Sequence, residues 1–329
     1  MNQLVKIIPI ERYFSLSWIQ HIRCNYDCMY CPDSRHNDYS EMPDFDTMCR
    51  HWIQIFEKTK QQQLPYKISF SGGEATINKH FVPFIKWLYE NFSDRVHKLI
   101  ITTNGSASTS YYLKLFEYLT NITFSIHTEY MPSDFLYKVK TVHDYAIKHN
   151  KFVHVLIMQE YWAVDQIKQI IEFCKDNHIP CNISKIVYQM SGSRQWPIFK
   201  VDGKIKDRED LKISQELIDN CDKDIDPLIT LEDKYYNVDL QYQDGSSQRT
   251  FASKLRFMDM HHFQGWKCHA GVDRIFVLPD SAVYSGECEN DFLGRLDNNS
   301  FQLLDQPQLC KRKNCTNNPD DLQTIKYAI

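Results

Sequence analysis

Cys24, Cys28 and Cys31 fall within the eight residues Cys24-Asn25-Tyr26-Asp27-Cys28-Met29-Tyr30-Cys31, and three thiolates in one loop are one short of a closed metal site. A cubane iron–sulfur cluster takes four thiolates, so a loop that offers three leaves one iron open to a small molecule. Zinc shows the same contrast, because a structural ion is fully ligated and a reactive one keeps a vacant position. Spacing alone also allows a zinc knuckle, with His21 or His36 as the fourth ligand. Further along stands Ser69-Phe70-Ser71-Gly72-Gly73-Glu74. Its glycines let a backbone approach a ligand closely, and its carboxylate can accept from an ammonium group. Alone, such a glycine pair reads as a turn.

The two segments together carry a resemblance. The C-x3-C-x2-C run with Tyr30 before its third cysteine, followed by Gly72-Gly73-Glu74, resembles the signature of the radical S-adenosylmethionine superfamily. That resemblance implies a [4Fe-4S] cluster on Cys24, Cys28 and Cys31, whose free iron chelates the amino and carboxylate groups of S-adenosylmethionine. It implies cleavage of a carbon–sulfur bond to a 5′-deoxyadenosyl radical that takes hydrogen from a substrate. It also implies that Tyr30 lies near the adenine, that Gly72, Gly73 and Glu74 hold the amino group, and that a flavodoxin- or ferredoxin-type protein supplies electrons.

Positioning such a site takes a repeated strand–helix frame. Strand-like runs at about 13–22, 67–71, 98–103, 121–127, 152–158 and 182–188 alternate with helical stretches at about 46–62, 79–92, 108–119, 134–149 and 162–178, which predicts a parallel sheet with right-handed crossovers. Met48, Trp52, Ile55 and Phe56 share one helix face, as do Val164, Ile167, Ile171 and Cys174. Six units are fewer than the eight of a closed barrel, and the resembled family is similar in having a partial barrel of six. The expected fold class is therefore α/β, a partial (β/α)6 TIM-like barrel. Ser69 and Ser71, and Thr123, Ser125 and His127, alternate with apolar residues, which predicts a wet lumen. By that parity Asn104, Ser125 and His127 point into the lumen at the carboxyl ends of the strands. Asn104 and Ser125 become candidate cofactor contacts. Asn104 reads equally well as a turn residue. His127 is a candidate catalytic group because histidine titrates near neutral pH, and a satisfied interior histidine is the plainer reading.

Cys268, Cys288, Cys310 and Cys315 form a second group, and four thiolates suit a closed iron–sulfur or zinc site. From Gly265 onward the layout resembles the twitch form of the auxiliary-cluster domains behind radical barrels, which implies a second [4Fe-4S] cluster on these four, in a small C-terminal β-hairpin/α domain. The expected divisions are 1–188 for the barrel, 189–236 for a connector and 237–329 for the auxiliary domain, with a hairpin turn at Asp244-Gly245. Cys49, Cys174, Cys181 and Cys221 read as small core residues. A thiol among them that faced the lumen would suit an epimerase. A fully ligated tail cluster suits oxidative chemistry instead, as an electron acceptor.

The 43% hydrophobic and 24% charged residues describe a globular chain of 329 residues with a large core. With 38 basic against 42 acidic residues, nothing favours nucleic acid. No apolar stretch reaches the ~18 residues of a membrane span, and the N-terminus lacks a signal pattern, so a cytoplasmic protein is expected. Eleven cysteines then argue for metal ligation or free thiols. The expected substrate is a peptide or a small metabolite. Only 23 residues precede Cys24, too few for a leader-binding module, which weakens the peptide reading without removing it. A non-enzymatic protein with structural zinc in both cysteine groups is the contrasting class.

Overall fold

The computed structural model describes residues 3–31, 36–186, 199–201, 204–206, 215–225, 237–315 and 319–329. Strands β1 (Leu4–Pro9) and β2 (Phe14–Ile19) come first. The alternating frame follows as α1 (Phe45–Thr59), β3 (Tyr66–Ser71), α2 (Phe81–Phe92), β4 (Val96–Thr103), α3 (Thr109–Leu115) and β5 (Asn121–Ile126). It continues through α4 (Phe135–Lys148), β6 (Phe152–Gln159), α5 (Val164–Asp176) and β7 (Cys181–Lys185). Strands β2 to β7 pair in chain order and all in parallel, which is the expected α/β partial barrel. The predicted 182–188 strand ends outside the described residues at 187 and 188.

Local sequence explains the frame. Helix α1 starts at Asp44, whose side chain accepts from the Thr47 amide at 2.8 Å, a cap that contributes about 1 kcal/mol. Met48, Trp52 and Ile55 then recur at helical spacing and are wholly buried. They meet the outward side chains of the sheet, where Trp52 packs edge-on against Tyr66 and Phe92, and Trp18 against Phe84. On α5 the buried stripe is Ile167, Ile170, Ile171 and Cys174.

After the barrel come β8 (Phe199–Val201), β9 (Lys204–Lys206), α6 (Gln215–Ile225), β10 (Asn237–Tyr242), β11 (Ser247–Phe251) and α7 (Lys254–Phe257). Much of the 189–236 stretch lies outside the described residues. The chain ends with β12 (Lys267–Cys268), β13 (Arg274–Val277), β14 (Ala282–Tyr284), β15 (Phe292–Arg295), β16 (Gln308–Leu309), α8 (Pro319–Gln323) and β17 (Lys326–Tyr327). Asp244 and Gly245 do turn β10 into β11, with Gly245 at φ +84.

Two pairings cross the expected divisions. Strand β1, assigned from sequence to the barrel segment, pairs instead with β10 and β17. Strand β13 of the tail pairs in parallel with β2, and β14 and β15 extend the barrel sheet beyond it. The tail is thus joined by backbone pairing to the β2 edge of the barrel sheet and, in a second sheet, to β1.

The second pairing changes what the inward residues of β2 and β3 do. Arg274 donates to the hydroxyls of Ser15 and Ser17 and to Asp321, while Lys67 pairs with Asp320 at 2.6 Å and Ser69 donates to the same carboxylate. Arg274, Lys67, Asp320 and Asp321 are all under a tenth exposed. On this side the predicted wet lumen is a packed ionic plug supplied by α8. The open space lies toward the carboxyl ends of the strands.

Candidate functional site

The cysteine loop follows β2, and the glycine pair at the end of β3 packs beneath it. Gly73 has φ +47, and a Cβ there would stand 2.3 Å from the Arg23 carbonyl oxygen. A Cβ on Gly72, at φ +80, would strike Ile19 at the same distance. The Arg23 carbonyl is held by the Glu74 amide at 2.9 Å, so the segment after β3 fixes the start of the cysteine loop. Gly73→Ala is therefore expected to displace the loop. After anaerobic iron and sulfide loading, iron analysis should find less metal in this variant than in the unaltered protein.

All three cysteines border one cavity of about 200 Å³, lined also by Tyr26, Tyr30, His36, Gly72, Gly73, Thr102, Thr103, Asn104, Ser125, His127 and Met158. The parity reading of Asn104, Ser125 and His127 therefore holds. Asn104 has the turn role and also borders the cavity. Its Oδ1 accepts from the Ser106 amide in a turn, while Nδ2 donates to Asn25 at 3.0 Å and lies 3.7 Å from Cys24 Sγ. His36 borders the cavity, whereas His21 is not among its lining residues.

Glu74 behaves differently from its expected role as a ligand for an ammonium. It is wholly buried and does not line the cavity. One oxygen accepts from the Thr76 amide, the Thr76 hydroxyl and the Thr103 hydroxyl, and the other accepts from the Asn104 amide at 2.6 Å. Burial raises its pKa against the pull of these donors. In this geometry Glu74 locks the end of β4, and with it Asn104, against the cysteine loop.

Beside Cys28 lies a buried polar chain. Tyr30 donates to Glu160 at 2.9 Å, and its oxygen lies 2.6 Å from His127 Nδ1, which is also 3.4 Å from Cys28 Sγ. Burial lowers the His127 pKa to about 4, so burial favours the neutral ring. Tyr26 stacks on Tyr130 at 4.9 Å between ring centres. Sequence reasoning had not singled out Glu160, Tyr26, Thr102, Thr103 or Met158. Strand parity would have found Thr102 and Met158.

The thiols themselves favour a shared cation. Burial raises the pKa of Cys24 and, with repulsion from Cys31 and Cys24, that of Cys28. Such thiols ionise together only when a metal displaces their protons. One zinc ion would draw its sulfurs to roughly 3.8 Å from one another. Neither cysteine group has all its sulfurs within 4.8 Å of one another. Among the described residues only Asp259, His261 and His262 meet that limit, and His262 is there hydrogen-bonded to Asp259 and Asn314.

No protein-family model matches the chain. Over 95 residues it is 29% identical to GTP 3′,8-cyclase of Pasteurella multocida (strain Pm70), a stretch amounting to 29% of this chain and 27% of that protein. The match thus spans about a quarter of that curated relative. Among solved structures, native anSMEcpe with bound AdoMet superposes with a TM-score of 0.50 at 15% identity, over 86% of this chain and 78% of that one. The same protein with AdoMet and the Kp18Cys peptide also gives 0.50 at 15%, over 88% and 81%. The chain has the radical S-adenosylmethionine fold.

Behind the barrel of this radical S-adenosylmethionine fold, the tail brings Cys268, Cys288, Cys310 and Cys315 into electrostatic range of one another. Burial and repulsion from its neighbours push Cys315 up to about 12 and Cys288 well above the ordinary thiol value. Lys326 stands among them, 1% exposed, with its ammonium donating to the carbonyls of Asp321, Leu322 and Thr324. The Cys288 amide is held by Asp321 at 3.2 Å. Four thiols beside a buried cation suit a closed anionic cluster. Cys49, Cys174 and Cys221 are buried, and Cys181 packs against the core, as expected. None of the four borders the cavity, so the thiol an epimerase would require is not found among them.

Proposed function

We propose that the chain is a radical S-adenosylmethionine enzyme that abstracts hydrogen from a peptide or a small metabolite in an oxidative modification. One observation carries this reading: three thiols of a single loop open onto a cavity walled by the carboxyl ends of the barrel strands. Bound to Cys24, Cys28 and Cys31, a [4Fe-4S] cluster with one open iron would supply the electron that splits S-adenosylmethionine into methionine and a 5′-deoxyadenosyl radical.

The chain's own residues do the rest. Gly72 and Gly73 present bare backbone at the cavity wall, where an amino group can be held. Asn104 and Ser125 offer polar side chains on the wall formed by β4 and β5. Tyr30 and Tyr26 supply aromatic surface for an adenine, and Glu74 keeps Asn104 in place from behind. In the tail, Cys268, Cys288, Cys310 and Cys315 would hold the second [4Fe-4S] cluster, ready to receive the electron left on an oxidised substrate. The peptide seen with a protein of the same fold supports a peptide substrate, and a flavodoxin- or ferredoxin-type donor would serve the first cluster. Among the described residues no helix is long and apolar enough to cross a membrane.

The test is anaerobic loading with iron and sulfide, followed by reductant and S-adenosylmethionine, with 5′-deoxyadenosine read by chromatography. Cleavage in the loaded protein and none in the metal-free protein is the expected result. Zinc binding without acid-labile sulfide, and no 5′-deoxyadenosine, would return the chain to the structural-metal class.

A further inference from the structure

The proton order of the chain linking Glu160, Tyr30 and His127 follows from counting donors. Glu160 is 0% exposed, and its Oε1 accepts from the Tyr30 hydroxyl at 2.9 Å and the Thr128 amide at 3.0 Å, while Oε2 accepts from the Thr128 hydroxyl. Burial raises the Glu160 pKa against the pull of its Thr128 and Tyr30 donors; in its ionised form it only accepts, and a phenol has one proton to give, so the Tyr30 proton is then committed to Glu160. The Tyr30 oxygen nevertheless sits 2.6 Å from His127 Nδ1. Two lone pairs at that distance would repel, so the ring must be the donor. The same Nδ1 is 3.4 Å from Cys28 Sγ, within reach of a sulfur acceptor.

We infer that Glu160 and Tyr30 are positioning residues that hold His127 protonated on Nδ1, so that its N–H is shared between the Tyr30 oxygen and the Cys28 sulfur. The two rings lie edge to edge and nearly coplanar, 6.0 Å between centres and 14° between planes, which aims Nδ1 at the Tyr30 oxygen. Nε2 is left without a described protein partner on a side chain that lines the cavity, as an acceptor for a ligand donor. An N–H bond to a ligating sulfur stabilises the electron-richer state of a cluster, and a buried carboxylate behind the histidine is the usual way to fix a tautomer. The effect on a cluster rests on the proposed function. The tautomer itself does not.

The experiment separates the two. In the metal-free 329-residue chain labelled with 15N-histidine, the His127 signals are assigned by their loss in His127→Gln. The expected result is a protonated Nδ1 and an unprotonated Nε2, shifting toward a mixture of tautomers in Tyr30→Phe. A proton on Nε2 in the unaltered protein overturns the inference, whatever happens on iron loading. In the loaded protein, a redox titration followed by paramagnetic resonance should give the three-cysteine cluster a lower midpoint potential in His127→Phe than in the unaltered protein. Tyr30→Phe should move in the same direction. A cubane that forms with an unchanged potential in His127→Phe overturns the bond to Cys28, and an unchanged value in Tyr30→Phe alone overturns the positioning role.

Discussion

Replacing Cys24, Cys28 and Cys31 together by Ala is expected to abolish formation of 5′-deoxyadenosine and to halve the iron, from about eight atoms per chain to about four. The expectation follows from the separation of the two groups. The first sits on a loop pinned by Gly73 and by the amide of Glu74, the second on tail turns pinned by Asp321, and no cysteine belongs to both. Losing one set leaves the other intact. The complementary variant, Cys268→Ala, should lose the tail iron yet keep part of the cofactor cleavage, now uncoupled from substrate, because the cavity that Cys24, Cys28 and Cys31 border contains no tail residue. Iron and sulfide analysis with a cleavage assay on the same samples decides it. Cleavage surviving in the triple variant would rule the mechanism out.

The parts of the site readable from sequence were those set by local rules. Spacing put three thiols in one loop, and strand parity aimed Ser125 and His127 inward, because a side-chain period of two needs no tertiary knowledge. The glycine pair was legible as a place of close approach, although the Cβ positions show that what approaches is the Arg23 carbonyl and Ile19. What parity could not tell is what an inward residue meets. Ser69 read as lumen polarity, yet it meets Asp320, and its neighbours Ser15, Ser17 and Lys67 meet Arg274 and Asp320, all more than two hundred residues later in the chain. The five-residue helix α8 that carries the acidic pair is too short for a periodic signal. Strand β1 failed for the same reason, since nothing in Leu4–Pro9 says that its partners are β10 and β17. The burial around His127, which sets its charge, was likewise beyond sequence, because only the packed structure supplies it.

The plug between barrel and tail carries the second large expectation: Asp321→Ala should destabilise the protein by about 3–5 kcal/mol and empty the four-cysteine group. Arg274 is 1% exposed and donates to Asp321 at 2.5 Å, so removing that carboxylate leaves a buried guanidinium with its remaining acid, Asp320, at 3.8 Å. A buried charge stripped of its partner costs far more than the pair ever contributed. The same substitution frees the amides of Glu287 and Cys288, which Asp321 holds at 3.3 and 3.2 Å, and so loosens the turn that presents one tail thiol. Asp320→Ala provides the contrast. It removes the carboxylate paired with Lys67, which keeps its bond to Gln323 Oε1 at 3.3 Å, but it touches no cysteine turn, so tail iron should persist. Acid provides a further arm. Burial would raise the Asp320 carboxyl, but Lys67 and Arg274 outweigh it and hold it below the usual range. Its stabilisation is therefore present above the unfolded-state pKa of about 3.9 and is lost as pH falls from there through the folded-state value. Urea midpoints measured against pH should fall across that interval, with a shallower fall in Asp320→Ala. An Asp321→Ala protein with an unchanged midpoint and a full complement of tail iron would mean that backbone pairing of β13 with β2, rather than the ionic plug, joins the tail to the barrel.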